Sequence, residues 1–188
     1  LSLLEQLEQD SSRTGADHWT KSNRKVYGKA TRMITSPLME AFDLEQENVA
    51  SRESYGEGNF AAGCLMARRL IESGVTFVEV TSGNWDTHFD NYERTTDLCQ
   101  QVDRPYARLL EDLKDRGMLD TTLVIWMGEF GRTPRINARG GRDHFPRAYS
   151  IALAGCGVRG GQVIGRTSDS GEEILEGKNS VPNLRTTI

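Results

Sequence analysis

A chain of 188 residues with 23 basic and 27 acidic side chains, formally −4 at neutral pH, is sized for one domain or most of one. That balance argues against a general nucleic-acid binder, which carries a basic stripe, and no apolar run reaches the roughly 18–20 residues that span a bilayer. Three cysteines, Cys64, Cys99 and Cys156, without a C-x-x-C pair, indicate neither a disulfide framework nor a thiolate zinc site.

The chain opens Leu1-Ser2-Leu3-Leu4-Glu5, acidic too early for a secretory signal, and it lacks an initiator Met, so a processed product or a fragment is expected. Residues 1–35 are polar and of mixed charge, with a turn at Asp10–Gly15; His18 has no partner pattern and is expected at the surface. Ser36-Pro37 reads as an N-cap with proline in the first helical position. Leu38, Met39, Ala41, Phe42 and Leu44 follow as an apolar face.

After Tyr55-Gly56-Glu57-Gly58, the residues Phe60, Cys64, Leu65, Ala67, Leu70 and Ile71 approximate helical spacing, closed by Glu72-Ser73-Gly74. The β-branched run Val75–Val80 predicts a strand directly behind that helix. A second helical region covers 91–117. Pro105 there implies either a kink or a fresh start capped by Asp103. Cys64 and Cys99 fall in these helical patterns, where burial as small hydrophobes is expected.

Thr121–Met127 predicts a buried strand and Tyr149–Leu153 a third. Gly155–Gly161 predicts a turn that matches neither a Walker loop nor a dinucleotide fingerprint, and Gln162–Gly165 a short edge strand. Val181–Ile188 ends without a capping signal. The alternation of helix and strand predicts an α/β fold with a largely parallel sheet flanked by helices.

Two predicted strand ends deliver the chemistry. Val75–Val80 leads to Asp86-Thr87-His88, and the 121–127 strand leads to Glu129 and to a long polar loop, 128–147, ending in Asp143-His144. Ligands of open α/β sheets sit at the carboxyl ends of strands, so Asp86, His88, Glu129, Asp143 and His144 are expected in one cleft as metal ligands. Imidazole with carboxylate suits Zn, Mn or Fe; carboxylate with water suits Mg or Ca. An acid such as Glu129 behind a buried strand needs a metal or an arginine as partner. Of the five loop arginines, Arg132 and Arg142 adjoin the proposed acids and are the candidates for gripping a phosphate or sulfate with two oxygens.

These motifs resemble a sulfatase-like family of unknown function in the alkaline phosphatase superfamily. The similarity covers residues 55–188 and rests chiefly on Cys64–Val75, Trp85-Asp86-Thr87-His88, Gly128–Pro134, Gly141–His144 and Ala154–Gln162. Residues 1–54 are expected as a polar helical N-terminal segment, and the resemblance implies for 55–188 an alkaline-phosphatase-like α/β domain, present only in its C-terminal portion. It further implies one or two divalent metals at the strand ends, small phosphate or sulfate esters as substrates, and an exported or periplasmic location. Asp86 and His88 look like the mid-chain ligands of that superfamily and His144 like its downstream histidine. Phe130 stands where a histidine would complete the set, no segment matches the nucleophile, and Cys64 lacks a Cys-x-Pro-Ser-Arg context. The expected function is a metal-dependent hydrolase of phosphate or sulfate esters, or the metal-binding portion of one. The alternative is a non-catalytic module on the same fold that binds an anion or a polysaccharide.

Overall fold

A computed structural model describes the backbone of residues 17–187 and the side chains of residues 22–186; the expectations for the turn at residues 10–15 and for the side chain of His18 lie outside these. The chain divides into two units, Leu1–Gln46 and Glu47–Ile188. In the first, helix α1 (Asp17–Ile34) is followed by two 3-10 turns, Pro37–Phe42 and Leu44–Gln46. Ser36 does cap, its Oγ accepting the Leu38 N–H at 3.2 Å, with Pro37 in first position. The turn that follows is 3-10 and ends within six residues, where the Asp43 N–H closes on the Glu40 carbonyl at 3.1 Å.

The second unit is built on three helices: α2 (Val49–Tyr55), α3 (Asn59–Glu72) and α4 (Asn91–Asp115). Asn48 caps α2, its Oδ1 accepting the Ser51 N–H at 2.8 Å. Gly74 ends α3 as the sequence predicts: at φ 90° its N–H reaches the Ile71 carbonyl while the Val75 N–H reaches that of Leu70. This paired closure needs a left-handed residue, hence glycine, and Gly117 repeats it at the end of α4. Pro105 neither restarts the helix nor divides it. It is buried within one continuous helix of 25 residues.

The core lies where α3 packs on α4, with α2 beside both. Tyr55, Ala61, Cys64, Leu65, Leu98, Val102, Leu109 and Leu113 are its buried side chains. Trimming one of these, Leu113→Ala for instance, removes burial and leaves a cavity, at about 2–5 kcal/mol. Cys64 is buried as expected, and burial pushes its thiol up to about 12; Cys99 is exposed on α4.

Arg68 is 1% exposed amid this apolar packing. It contacts Glu47 at 2.8 Å, Glu72 at 2.7 Å and Asp112 at 3.2 Å, and the Tyr55 hydroxyl donates to Asp112 at 2.9 Å. A buried cation is tolerable only when paired this fully. Its hydrogen bond to Glu47 is the first cause holding that carboxyl down at about 2.

The parallel sheet does not exist. Among the described residues, the strands are short and pair only in antiparallel twos. β1 (Val124–Trp126) pairs with β4 (Ala152–Ala154), β2 (Gly131–Arg132) with β3 (His144–Phe145), and β5 (Arg166–Thr167) with β6 (Ile174–Glu176). Val75–Val80 and Gln162–Gly165 form no ladder. The reason is that β-branched, apolar composition records a preference for extended backbone and half-buried surroundings but does not supply a partner. Val80 packs sideways against α3 at Gly63, where a Cβ would stand 2.8 Å from its Cγ1, while Phe77 remains 78% exposed. The strand expected over 121–127 survives as three residues, anchored on α4 by an edge-on contact of Trp126 with Tyr106, ring centroids 4.7 Å apart. The chain closes with a short helix, α5 (Val181–Thr187), on which Ser180 Oγ accepts the Asn183 N–H at 3.3 Å.

Candidate metal centre

Two segments far apart in sequence make the site. The first is the turn Asp86–Asp90 that leads into α4; the second is the loop 128–147, which the hairpin β2–β3 organises. Asn137 joins them. Its Nδ2 donates to the His88 carbonyl at 3.0 Å and to Asp143 Oδ1 at 3.2 Å. Its Oδ1 accepts the N–H groups of Arg139 and Gly141, each at 2.9 Å. The backbones then lock: the Asn91 N–H reaches the Gly140 carbonyl at 2.9 Å and the Arg142 N–H that of Thr87 at 3.0 Å. Gly141 lies so close to the first segment that a Cβ there would stand 1.9 Å from the His88 carbonyl carbon. Only glycine admits that approach.

This clasp brings Asp86, His88 and His144 together, their ligand atoms all within 4.8 Å of one another. They form a His/Asp cluster suited to a metal ion. Asp86 Oδ1 is 3.1 Å from His88 Nε2 and 2.9 Å from His144 Nε2. Those separations sit near the edge of about 3.4 Å that a tetrahedral shell with metal–nitrogen bonds of about 2.0–2.1 Å requires. The two imidazole rings are 4.8 Å apart, and Phe130 covers the outer face of His144 at 4.5 Å.

Arg132 and His144 are cross-strand partners in the hairpin, so both side chains project from one face. Arg132 donates to Asp86 Oδ1 at 2.5 Å. That bond, followed by the one from His144, holds the Asp86 carboxyl down at about 2.

The remaining predicted residues lie around this centre. Asp143 stands behind His88, its Oδ1 2.7 Å from Nδ1, and is held below the usual carboxylate range chiefly by that bond. A carboxylate on the far nitrogen of a ligating imidazole fixes the ring and the tautomer. Glu129 is on the rim, 67% exposed and 3.7 Å from Arg132. Arg142 points its guanidinium at the carbonyls of Thr133 and Pro134, 2.6 and 2.8 Å away, bracing the loop. The sequence reading missed Asn137. An Asn three residues ahead of Gly140-Gly141 is the signature of a side chain that folds a turn back on itself, and that was the available signal.

Over residues 1–188 the chain matches the model of the protein family of unknown function DUF1501, and it belongs to that family. No curated protein and no solved structure is detectably similar to it. This match overturns the resemblance to the alkaline phosphatase superfamily, since no sulfatase or phosphatase family is found, and the absence of a parallel sheet removes the architecture it implied. Among the described residues, no helix is long and apolar enough to cross a membrane.

Proposed function

We propose that the Asp86–His88–His144 centre binds a divalent cation and hydrolyses small phosphate or sulfate esters. The convergence of two imidazoles and one carboxylate, with a guanidinium beside them, supports this reading most directly. Three protein ligands leave coordination positions open for water and substrate. Two nitrogen donors favour Zn, Mn or Fe over Ca or Mg, which prefer all-oxygen shells. A divalent cation held there would supply Lewis acidity and lower the pKa of coordinated water.

The chain's own residues have separable tasks in this scheme. Asp143 orients His88. Arg132 offers a planar fork to two oxygens of the tetrahedral anion, and Phe130 limits water on one side of His144. Thr87, between the two ligands of the first segment, is 2% exposed and donates to Asn91 at 2.7 Å, so solvent water is the nucleophile in this scheme.

The test is turnover of p-nitrophenyl phosphate and p-nitrophenyl sulfate by metal-stripped protein refilled with Zn or Mn. Wild type should turn over one of them, and His144→Ala should abolish it while lowering metal affinity at least about 100-fold, beyond the usual cost of losing an outer-shell group. Metal and sulfate binding without turnover of either ester would instead support a non-catalytic anion-binding centre. Unchanged metal affinity in His144→Ala would end the metal assignment.

A further inference from the structure

Asp86 Oδ1 is the meeting point of one guanidinium and two imidazole nitrogens. Arg132 Nη1 stands 2.5 Å from it, His144 Nε2 2.9 Å and His88 Nε2 3.1 Å. A neutral imidazole has one donor and one acceptor nitrogen, and His88 already turns Nδ1 to Asp143, so of these three neighbours Arg132 is the one that must donate to the oxygen. The two imidazoles would face a bound cation through the same nitrogens that now face Asp86. Arg132 would not, because a guanidinium has no lone pair to give and keeps its charge at every accessible pH.

We infer that Arg132 and a divalent cation are alternative partners of Asp86, so that Arg132 tunes metal affinity and becomes free for an anion only once the metal is in place. The inference rests on the metal-centre reading above. A guanidinium and a doubly charged cation sharing one carboxylate oxygen repel at such range, and entry of the metal displaces the guanidinium.

The displaced side chain cannot go far. Its backbone is fixed in the β2–β3 ladder opposite His144. It has a second perch already in reach, with Glu129 3.7 Å from Nη2 and the Phe130 ring 5.5 Å from the guanidinium carbon. From there it borders the centre and can present two donors to an oxyanion. Arg142, tied to two backbone carbonyls, has no such freedom, so the exchange falls to Arg132 alone of the two arginines first considered.

The experiment is calorimetry of the wild-type chain, Arg132→Met, Arg132→Lys and His144→Ala with Zn, and then with sulfate as the anion probe, before and after Zn loading. Arg132→Met should bind Zn at least about tenfold tighter than wild type, and its Zn-loaded form should bind sulfate at least about tenfold more weakly, each factor matching removal of one charge-assisted contact. Wild type should bind sulfate at least about tenfold more tightly with Zn than without, on the same scale. Arg132→Lys, a point charge without the fork, should keep wild-type Zn affinity and lose sulfate affinity. Zn affinity unchanged or weaker in Arg132→Met, or sulfate affinity indifferent to Zn, overturns the exchange. If wild type binds Zn and His144→Ala does not, that failure leaves the metal centre standing. If wild type binds no Zn, both readings fall.

Discussion

Arg68 and Asp86 each stand at the middle of a charged cluster, one a cation ringed by acids and the other an acid ringed by nitrogen bases, and the two serve opposite ends. Around Arg68, 1% exposed, three carboxylates close on a single guanidinium. Around Asp86, 60% exposed, one guanidinium and two imidazoles close on a single carboxylate. In the first, the three acids are met by Arg68 together with Arg69, Arg108 and Arg116, all permanent charges, so the cluster holds helices together. In the second, two of the three partners are neutral-capable nitrogens and the centre faces solvent. Exchange of partners is what makes it a site. Burial and the kind of counter-group, more than the count of titratable residues, separate structure from chemistry here.

The largest effect that would break this contrast lies at Arg68. Arg68→Ala leaves Glu47, Glu72 and Asp112 without their common cation, and removing one member of a buried ionic cluster costs about 3–5 kcal/mol. Urea titration should register that loss, while the folded fraction keeps its Zn affinity. A cost below about 1 kcal/mol, the level of a surface pair, would place the cluster among ornamental ion pairs. Arg68→Ala with weakened Zn binding would show that the two clusters are not independent.

Much of this was legible in the sequence, for local reasons. The closures of α3 and α4 were readable because Gly74 and Gly117 act within a single turn. The residues of the His/Asp cluster drew notice because Asp, His and Arg concentrate at 86–88 and 128–147. The expected cause of their meeting was wrong: a hairpin and an Asn137 clasp, not parallel strand ends, bring them together. Val75–Val80 misled because an extended, β-branched run looks the same with or without a ladder. Arg68 could have been suspected, since it falls in the stripe of Cys64, Leu65 and Ile71 on α3 at three- and four-residue steps with Glu72 one turn on, though Glu47 and Asp112 come from elsewhere. Nothing in composition distinguishes Arg132 from Arg142. Only the cross-strand register opposite His144 does.

A middle-sized effect concerns acid. Glu47 titrates at about 2 in the folded chain against 4.5 ordinarily, and a lowered folded value means the stabilisation is present above the ordinary value and disappears as pH falls through the folded one. The fold should therefore weaken between about pH 4.5 and pH 2, by roughly 3 kcal/mol at about 1.4 kcal/mol per pKa unit. Glu47→Gln should flatten that stretch of the stability–pH curve followed by circular dichroism. If wild type and Glu47→Gln lose stability in parallel, the acid sensitivity belongs to other carboxylates.

The smallest and most discriminating change is at Asp143, which the sequence reading made a ligand and the geometry places behind His88 at 2.7 Å. Asp143→Asn keeps the shape and an acceptor oxygen but loses the charge that makes the imidazole a better donor to metal. Outer-shell carboxylates of this kind govern metal affinity by about 10- to 100-fold. Asp143→Asn should fall in that range, bind Zn to the same stoichiometry at saturation, and leave the melting temperature of metal-free protein nearly unmoved because the side chain is half-exposed and Asn keeps an acceptor oxygen for Asn137. Competition with a zinc chelator measures the affinity. A loss equal to that in His144→Ala would mean that Asp143 touches the metal itself. A loss below about threefold, well under the outer-shell range, would mean that the clasp from Asn137 to the His88 carbonyl already holds the ring, and the carboxylate adds nothing to its orientation.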